Sequence, residues 1–282
     1  MDLLVYDAKR KGRCNVAGVP VILNKEDLSE TLGNRKIDAY LSGGIVQVFD
    51  EDSARVLHDL AGIGQWLDDQ RKEKRGFGRS CLSEDASCSF KAHNDLDKSE
   101  YSRDVDSMKK FSPITNPLFL SPLETTLLCR DWEVLNVKSG EHLLTEQEVW
   151  VEMKRLFDIP ADFGRTFAIF RFLKRNGWIV SSGHTFGCQF LIYCLGQHSY
   201  HSSAGVLISD DIEPQRLLTL TRILSHNKKA LIVATVSSDV ECYADVDSVE
   251  VKHVTMKTYF LGRDVAMMSS KRNEIYELKQ ID

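Results

Sequence analysis

The chain has 282 residues, 43% of them hydrophobic, with 36 Lys and Arg against 41 Asp and Glu for a formal net charge of −5. That length is enough for one large or two modest domains with cores of their own, and no apolar run approaches the roughly twenty residues that a membrane-spanning helix needs. The seven cysteines (14, 81, 88, 129, 188, 194, 242) are odd in number and include no Cys-x-x-Cys pair, which argues against both a disulfide framework and a zinc site. The start, MDLLVYDAKRKGR, lacks the charge-then-apolar order of a signal peptide. A soluble protein of a reducing intracellular compartment is expected.

Residues 1–60 read as a mixed module. Leu3–Tyr6 and Val19–Leu23 are strand-like, Ile45–Phe49 is a stronger strand, and Glu51–Leu60 is a helix entered through Asp50 as its cap. From Leu67 to Ser112 there are 20 charged residues, ten of each sign, and eight serines. Such a stretch cannot bury enough apolar surface to offset its ordering entropy, so a disordered insertion is expected. Its basic piece Arg71–Arg75 reads as solvated linker, with nuclear import or RNA contact as the alternatives.

Order resumes at Leu118. Ser121-Pro122-Leu123-Glu124 carries a hydroxyl cap, a proline at the first helical position and a glutamate three residues on, a strong helix start, and Thr145-Glu146-Gln147-Glu148 opens a second capped helix with Val149, Met153 and Leu156 inward. Between them Val134–Val137 is a short strand. Phe163–Asn176 is amphipathic, with Phe167, Ile169, Phe170 and Leu173 apolar and Arg171, Lys174 and Arg175 expected in solvent. Asn176-Gly177 ends it. Phe190–Tyr193 and Val206–Ile208 read as a hairpin through Cys194–Gln197, Pro214–Ser225 as a helix, and Ala230–Val236 as a strand. An acidic loop (Asp239, Glu241, Asp245, Asp247) and strands Val249–Val254 and Met256–Leu261 complete the chain.

Between Arg165 and Thr235 stand eight Lys and Arg against three acids, so a locally basic segment sits on an otherwise acidic chain. Globally the charge argues against a strong nucleic-acid binder, but this segment suits an enzyme that meets RNA with one face. The same segment places Tyr193, His201 and Lys229 at strand edges.

Gly177-Trp178, Gly183-His184-Thr185-Phe186-Gly187, Phe190-Leu191-Ile192-Tyr193, Tyr200-His201-Ser202 and Arg222 to Lys229, in this order and spacing, resemble the catalytic domain of tRNA-splicing endonucleases. Independently, GIVQVFDEDSARVLHDLAGIG followed by Gly76-Phe77-Gly78-Arg79 is similar to the N-terminal domain of the larger catalytic subunit of the eukaryotic, four-subunit enzyme. The resemblance implies an α/β (α+β) fold of two mixed domains. It divides the chain into 1–66 and 113–160 as the two parts of the N-terminal domain, 67–112 as the insertion, 161–266 as a nuclease domain with a mixed sheet, and 267–282 as a flexible tail.

It further implies metal-independent cleavage of precursor tRNA at an intron–exon junction, leaving 2′,3′-cyclic phosphate and 5′-hydroxyl ends, by a protein that assembles with other subunits in the nucleus. Tyr193 corresponds to the base, His201 to the acid and Lys229 to the stabilising cation, with Lys228 the alternative for the last. A tyrosine with a reference pKa of about 10 is only about 0.1% ionised at neutral pH, so such a base requires a cation nearby. Arg222 and Tyr259 correspond to positions that hold an unpaired substrate base, although Tyr259 equally suits packing within a sheet. No cofactor and no metal is expected, and the spacing of His184, His198 and His201 carries no metal signature. Two positions depart from the family pattern: Gln189 stands where Asp is usual and Thr185 where Lys is usual. A non-catalytic scaffold subunit of the same kind of complex is the alternative reading.

Overall fold

The computed structural model describes residues 24–66 and 116–256, apart from 195, 196, 198 and 199. The expected strands before residue 24, the 67–112 insertion, the Gly76–Arg79 stretch, His198, Tyr259 and the tail lie outside the described residues.

Asn24 caps helix α1 (Lys25–Thr31) by accepting from the Asp27 amide at 2.8 Å. Strands β1 (Ile37–Ser42) and β2 (Ile45–Val48) then form a hairpin whose two-residue turn is Gly43-Gly44, with φ of +58° and +81°. Positive φ at both central residues matches the twist of the flanking strands, and glycine adopts it without steric cost. Asp50 caps α2 (Glu51–Arg55), which runs on into a π-helical turn over Val56–Leu60.

The short β3 (Gln65–Trp66) pairs with β4 (Leu118–Leu120). Next, α3 (Pro122–Thr126) opens on the expected capping box: Ser121 Oγ accepts from the Glu124 amide and the Glu124 carboxylate accepts from the Ser121 amide. A second π-helical turn carries it on to Asp131. Strands β5 (Leu135–Ser139) and β6 (His142–Leu143) complete a six-stranded sheet of order β3-β4-β2-β1-β5-β6, in which only the β1–β5 pairing is parallel. One face of this sheet (Ile37, Ala39, Val46, Val48, Leu118, Leu120, Leu135, Val137) is core.

Helix α4 (Glu146–Leu156) begins on the second expected capping box, at Thr145 and Glu148, and buries Val149, Trp150 and Met153. It packs by Trp150 against Phe163 and Phe167 of α5 (Phe163–Arg175), the central helix of the C-terminal half, with ring centroids 4.9 and 5.7 Å apart. The second sheet has the order β11-β10-β9-β8-β7. Its strands are β7 (Ile179–Ser182), β8 (Phe190–Tyr193), β9 (Ala204–Ile208), β10 (Ala230–Val236) and β11 (Val251–Met256). Only β9 and β10 run parallel, joined by α6 (Pro214–His226) as a crossover. The sheet is covered on both faces. Phe190, Ile192, Ala204, Val206, Ala230 and Ile232 join the core around α5, while Leu207 and Leu231 pack with Leu220 and Leu224 of α6. The expected strand Val249–Val254 is found as Val251–Met256, paired with Val236–Leu231, and of the second expected late strand all but Met256 lies outside the described residues.

The two halves share one hydrophobic core, and the polar contacts between them overturn one expectation. Arg171 and Lys174, expected in solvent, are buried at 5% and 3% exposure, because the face of α5 that carries them meets the N-terminal half. Arg171 pairs with Asp131 and Asp247, each at 2.7 Å. Lys174 Nζ donates to the Ala61 carbonyl at 3.3 Å. Tyr243 donates its hydroxyl to Asp131 at 2.8 Å, and the Arg130 guanidinium lies 3.4 Å from the centroid of the Tyr243 ring. Burial works against the Arg171 charge, yet Asp131 and Asp247 hold its pKa above the ordinary value. Burial pushes the Tyr243 phenol well above its usual range, and Asp131 adds to this. In the same way, burial lowers Lys174 to about 8 against a weaker opposing pull from Glu124.

Candidate active site

The site is assembled by register. Ile192 of β8 is partnered with Ala204 of β9, and Ala204 with Ala230 of β10. One position further on, the Ser203 amide donates to the Ile192 carbonyl at 2.8 Å and the Ala230 amide to the Ser203 carbonyl at 3.1 Å. Tyr193, Ser203 and Lys229 therefore form one row across three adjacent strand ends, at the edge of the sheet where β8 finishes and β9 and β10 begin. Neighbouring strands lie about 4.8 Å apart, so the backbones of Tyr193 and Lys229 stand about 10 Å from one another with the approach to β9 between them.

Alternation along β8 puts Tyr193 on the same face as Leu191, and alternation into β10 puts Lys229 on the face of Leu231, the side that α6 covers. Tyr193 is half-buried and His201 exposed. Lys229 is 9% exposed, and its ammonium donates to the Ser202 carbonyl at 3.2 Å and lies 5.5 Å from the centroid of the Phe186 ring. The ammonium thus sits against the peptide next to His201, and the loop that carries the imidazole is held to the start of β10.

The two lysines take different places. Lys228 has a φ of +57°, and its amide and that of Lys229 donate to Ser225 and Leu224, closing α6 in a left-handed C-terminal cap. Its side chain is exposed. Lys229 is the one turned into the row. Phe186, which shapes the Lys229 environment, stood in the sequence only as a position of the Gly183–Gly187 piece. That piece folds as a 3-10 turn over His184–Phe186, closed by Gly187 at φ +75°.

Gln189, one of the two departures from the family pattern, has a structural task. Its amide nitrogen donates to the Val206 carbonyl at 3.0 Å, and its side-chain oxygen accepts from the Ile208 amide at 2.9 Å. The side chain extends the β8–β9 ladder past the first residue of β8.

Of the remaining expected residues, Arg222 is exposed on α6, and Tyr259 lies outside the described residues. The basic segment is less basic at its surface than its composition suggests. Arg171 and Lys174 are buried and Arg165 pairs with Asp210 at 2.6 Å, which leaves Arg175 at the end of α5, itself 3.5 Å from Asp131, and Arg216, Arg222 and Lys228 along and just beyond α6 as exposed cations. A groove of about 630 Å³ runs between the two halves and reaches Gln189 and Gln197 but not Tyr193, His201 or Lys229.

Two mixed domains share a core, and the second carries Tyr193 and Lys229 in one row at a sheet end with His201 two residues before Ser203; similarity to known proteins makes the chain an endoribonuclease. Two family models match: tRNA intron endonuclease, N-terminal domain, over residues 37–150, and tRNA intron endonuclease, catalytic C-terminal domain, over residues 163–243. Curated relatives agree. The tRNA-splicing endonuclease of Saccharolobus solfataricus is 29% identical over 150 residues, covering 50% of this chain and 79% of the relative. Those of Saccharolobus islandicus (25% over 140 residues; 49% and 75% covered) and Sulfurisphaera tokodaii (24% over 140 residues; 47% and 73% covered) are further archaeal examples. The chain belongs to the tRNA-splicing endonuclease family.

Proposed function

We propose that the chain is a catalytic subunit of a tRNA-splicing endonuclease, acting on precursor tRNA at an intron–exon junction. The observation that carries this reading is the shared row of Tyr193, Ser203 and Lys229, with the Lys229 ammonium held against the peptide that precedes Ser203 and follows His201. In the reaction, Tyr193 takes the proton of the ribose 2′-hydroxyl, and that oxygen attacks the adjacent phosphorus. His201 gives a proton to the departing 5′-oxygen, and Lys229 offsets the negative charge that grows on the phosphoryl oxygens. The products are a 2′,3′-cyclic phosphate and a 5′-hydroxyl. Every proton is accounted for by side chains of this chain, so the step calls for no metal.

Arg222 serves as a substrate contact, and other subunits complete the assembly, which works in the nucleus. The acidic loop and β11 are the surfaces proposed to meet those subunits. Substitution of His201 by Ala, in the chain assembled with its partners, is expected to lower cleavage at one splice site by roughly 10²–10⁴-fold with assembly intact. Gel analysis of an intron-containing precursor, with the ends characterised chemically, reads the result. Unchanged cleavage at both sites refutes the assignment.

A further inference from the structure

The N-terminal sheet has a second face that the nuclease site does not use. Its register runs one row across all six strands: Gln65, Phe119, Gln47, Tyr40, Lys138 and Leu143 are successive partners from β3 to β6. Partners in a row project to the same side. That side is open, since Tyr40 is 38% and Leu143 51% exposed whereas Ala39, Val48, Leu118 and Val137, one position along, are buried.

Just past β2, Phe49 (44% exposed) stands edge-on to Tyr40 with ring centroids 5.7 Å apart, and the Lys138 ammonium lies 5.8 Å from the Tyr40 ring centroid. Beside the pair is a cavity of about 310 Å³ whose lining includes Arg35 and Lys36, both exposed. The two carboxylates there are already engaged: Asp38 pairs with Lys138 at 2.6 Å, and Asp50 accepts from the Ser53 amide at 3.1 Å as the cap of α2.

At the other end of the row, Phe119 and Gln65 enter the groove between the two halves, whose far wall includes His184 and Gln189 next to β8. Glu124, Asp158 and Asp162 also line that groove and disfavour phosphate there.

Exposed rings interleaved with cations and amides make a poor apolar docking patch but a good surface for unpaired nucleotides. Rings stack on any base, cations meet the phosphates, and amides reach base edges. We propose that this open sheet face is a platform for single-stranded RNA, with bases stacked on Tyr40 and Phe49, phosphates against Arg35 and Lys36, and the strand continuing over Phe119 toward the nuclease domain. The proposal rests on the endonuclease reading above and names where substrate outside the cleaved bond is held.

The test is fluorescence anisotropy of a fluorescein-labelled oligouridylate titrated with the full chain in a His201→Ala background, so that the probe stays intact. Joint substitution Tyr40→Ala and Phe49→Ala is expected to weaken binding about ten-fold or more with an unchanged melting temperature. Tyr40→Trp with Phe49→Tyr preserves stacking and is expected to retain affinity, which separates stacking from a folding defect if the alanine variant is unstable. Full affinity in the folded alanine variant overturns the platform while leaving precursor cleavage, measured separately, untouched. Loss of subunit assembly with RNA affinity retained makes the face a protein contact and overturns the platform too.

Discussion

Replacing Lys174 by Met tests the interface between the two halves. The lysine is 3% exposed, and burial lowers its pKa from 10.5 to about 8. A depression of that size corresponds to about 3 kcal/mol of penalty for holding the charged form in the folded chain at pH 7. Against this stands the hydrogen bond from Nζ to the Ala61 carbonyl at 3.3 Å, whose loss costs about 1 kcal/mol. Lys174→Met is therefore expected to stabilise the chain by about 2 kcal/mol at pH 7. The sign of the pH dependence follows from proton counting. Below pH 8 both states hold the proton and the full penalty is present; between about 8 and 10.5 the folded lysine has shed it while the unfolded one has not. The unfolded chain then binds more protons, so wild-type stability rises with pH through that window. The advantage of the methionine variant should shrink across it and invert near pH 10. Urea unfolding of both proteins at several pH values, compared as a difference so that other titrations cancel, measures this. A variant less stable at pH 7, or a difference that does not change with pH, refutes the reasoning.

Three further perturbations address the rest of the fold. Asp131→Asn leaves the buried Arg171 guanidinium with Asp247 as its remaining carboxylate and gives the Tyr243 hydroxyl an uncharged acceptor; chemical denaturation should register a loss of about 2 kcal/mol. At Gly164 an added Cβ would lie 2.0 Å from the Val240 carbonyl oxygen, so Gly164→Ala should force α5 off the loop that precedes the Tyr243–Asp247 turn and lower stability by about 3 kcal/mol, visible as a drop in melting temperature. Burial pushes the thiols of Cys129 and Cys188 up to about 12 and about 11, whereas Cys242 is exposed. Alkylation of the native chain at pH 8 followed by peptide mapping should label Cys242 and spare the other two.

Local chemistry made much of this fold legible. Asp50, Ser121 and Thr145 announce helix starts through residues three positions apart, and the strands of the second sheet stand out as short apolar runs. Arg171 and Lys174 were misread because periodicity separates polar from apolar faces but does not say whether the polar face meets water or another domain; here it meets Asp131 and the Ala61 carbonyl. Leu218 and Ile223, off the stripe of Leu217, Leu220 and Leu224, lie 65% and 40% exposed on α6. In the candidate site, Tyr193, His201 and Lys229 were singled out by their order, but what brings two of them into one row is strand register, a long-range property. The contacts of Lys229 with the Ser202 carbonyl and the Phe186 ring had no separate signal.

The side-chain bond between Gln189 and Ile208 bears directly on that register. A slip of β8 by a single residue would turn Tyr193 from the α6 side of the sheet, which Lys229 shares, to the α5 side. Gln189 acts as a stop against that slip, since its amide and its side chain clasp β9 at two successive rungs. An aspartate there, one methylene shorter, would have to draw the strands closer to make the second contact. A residue that departs from the family pattern thus works here as an index mark, fixing where one strand stands relative to the next.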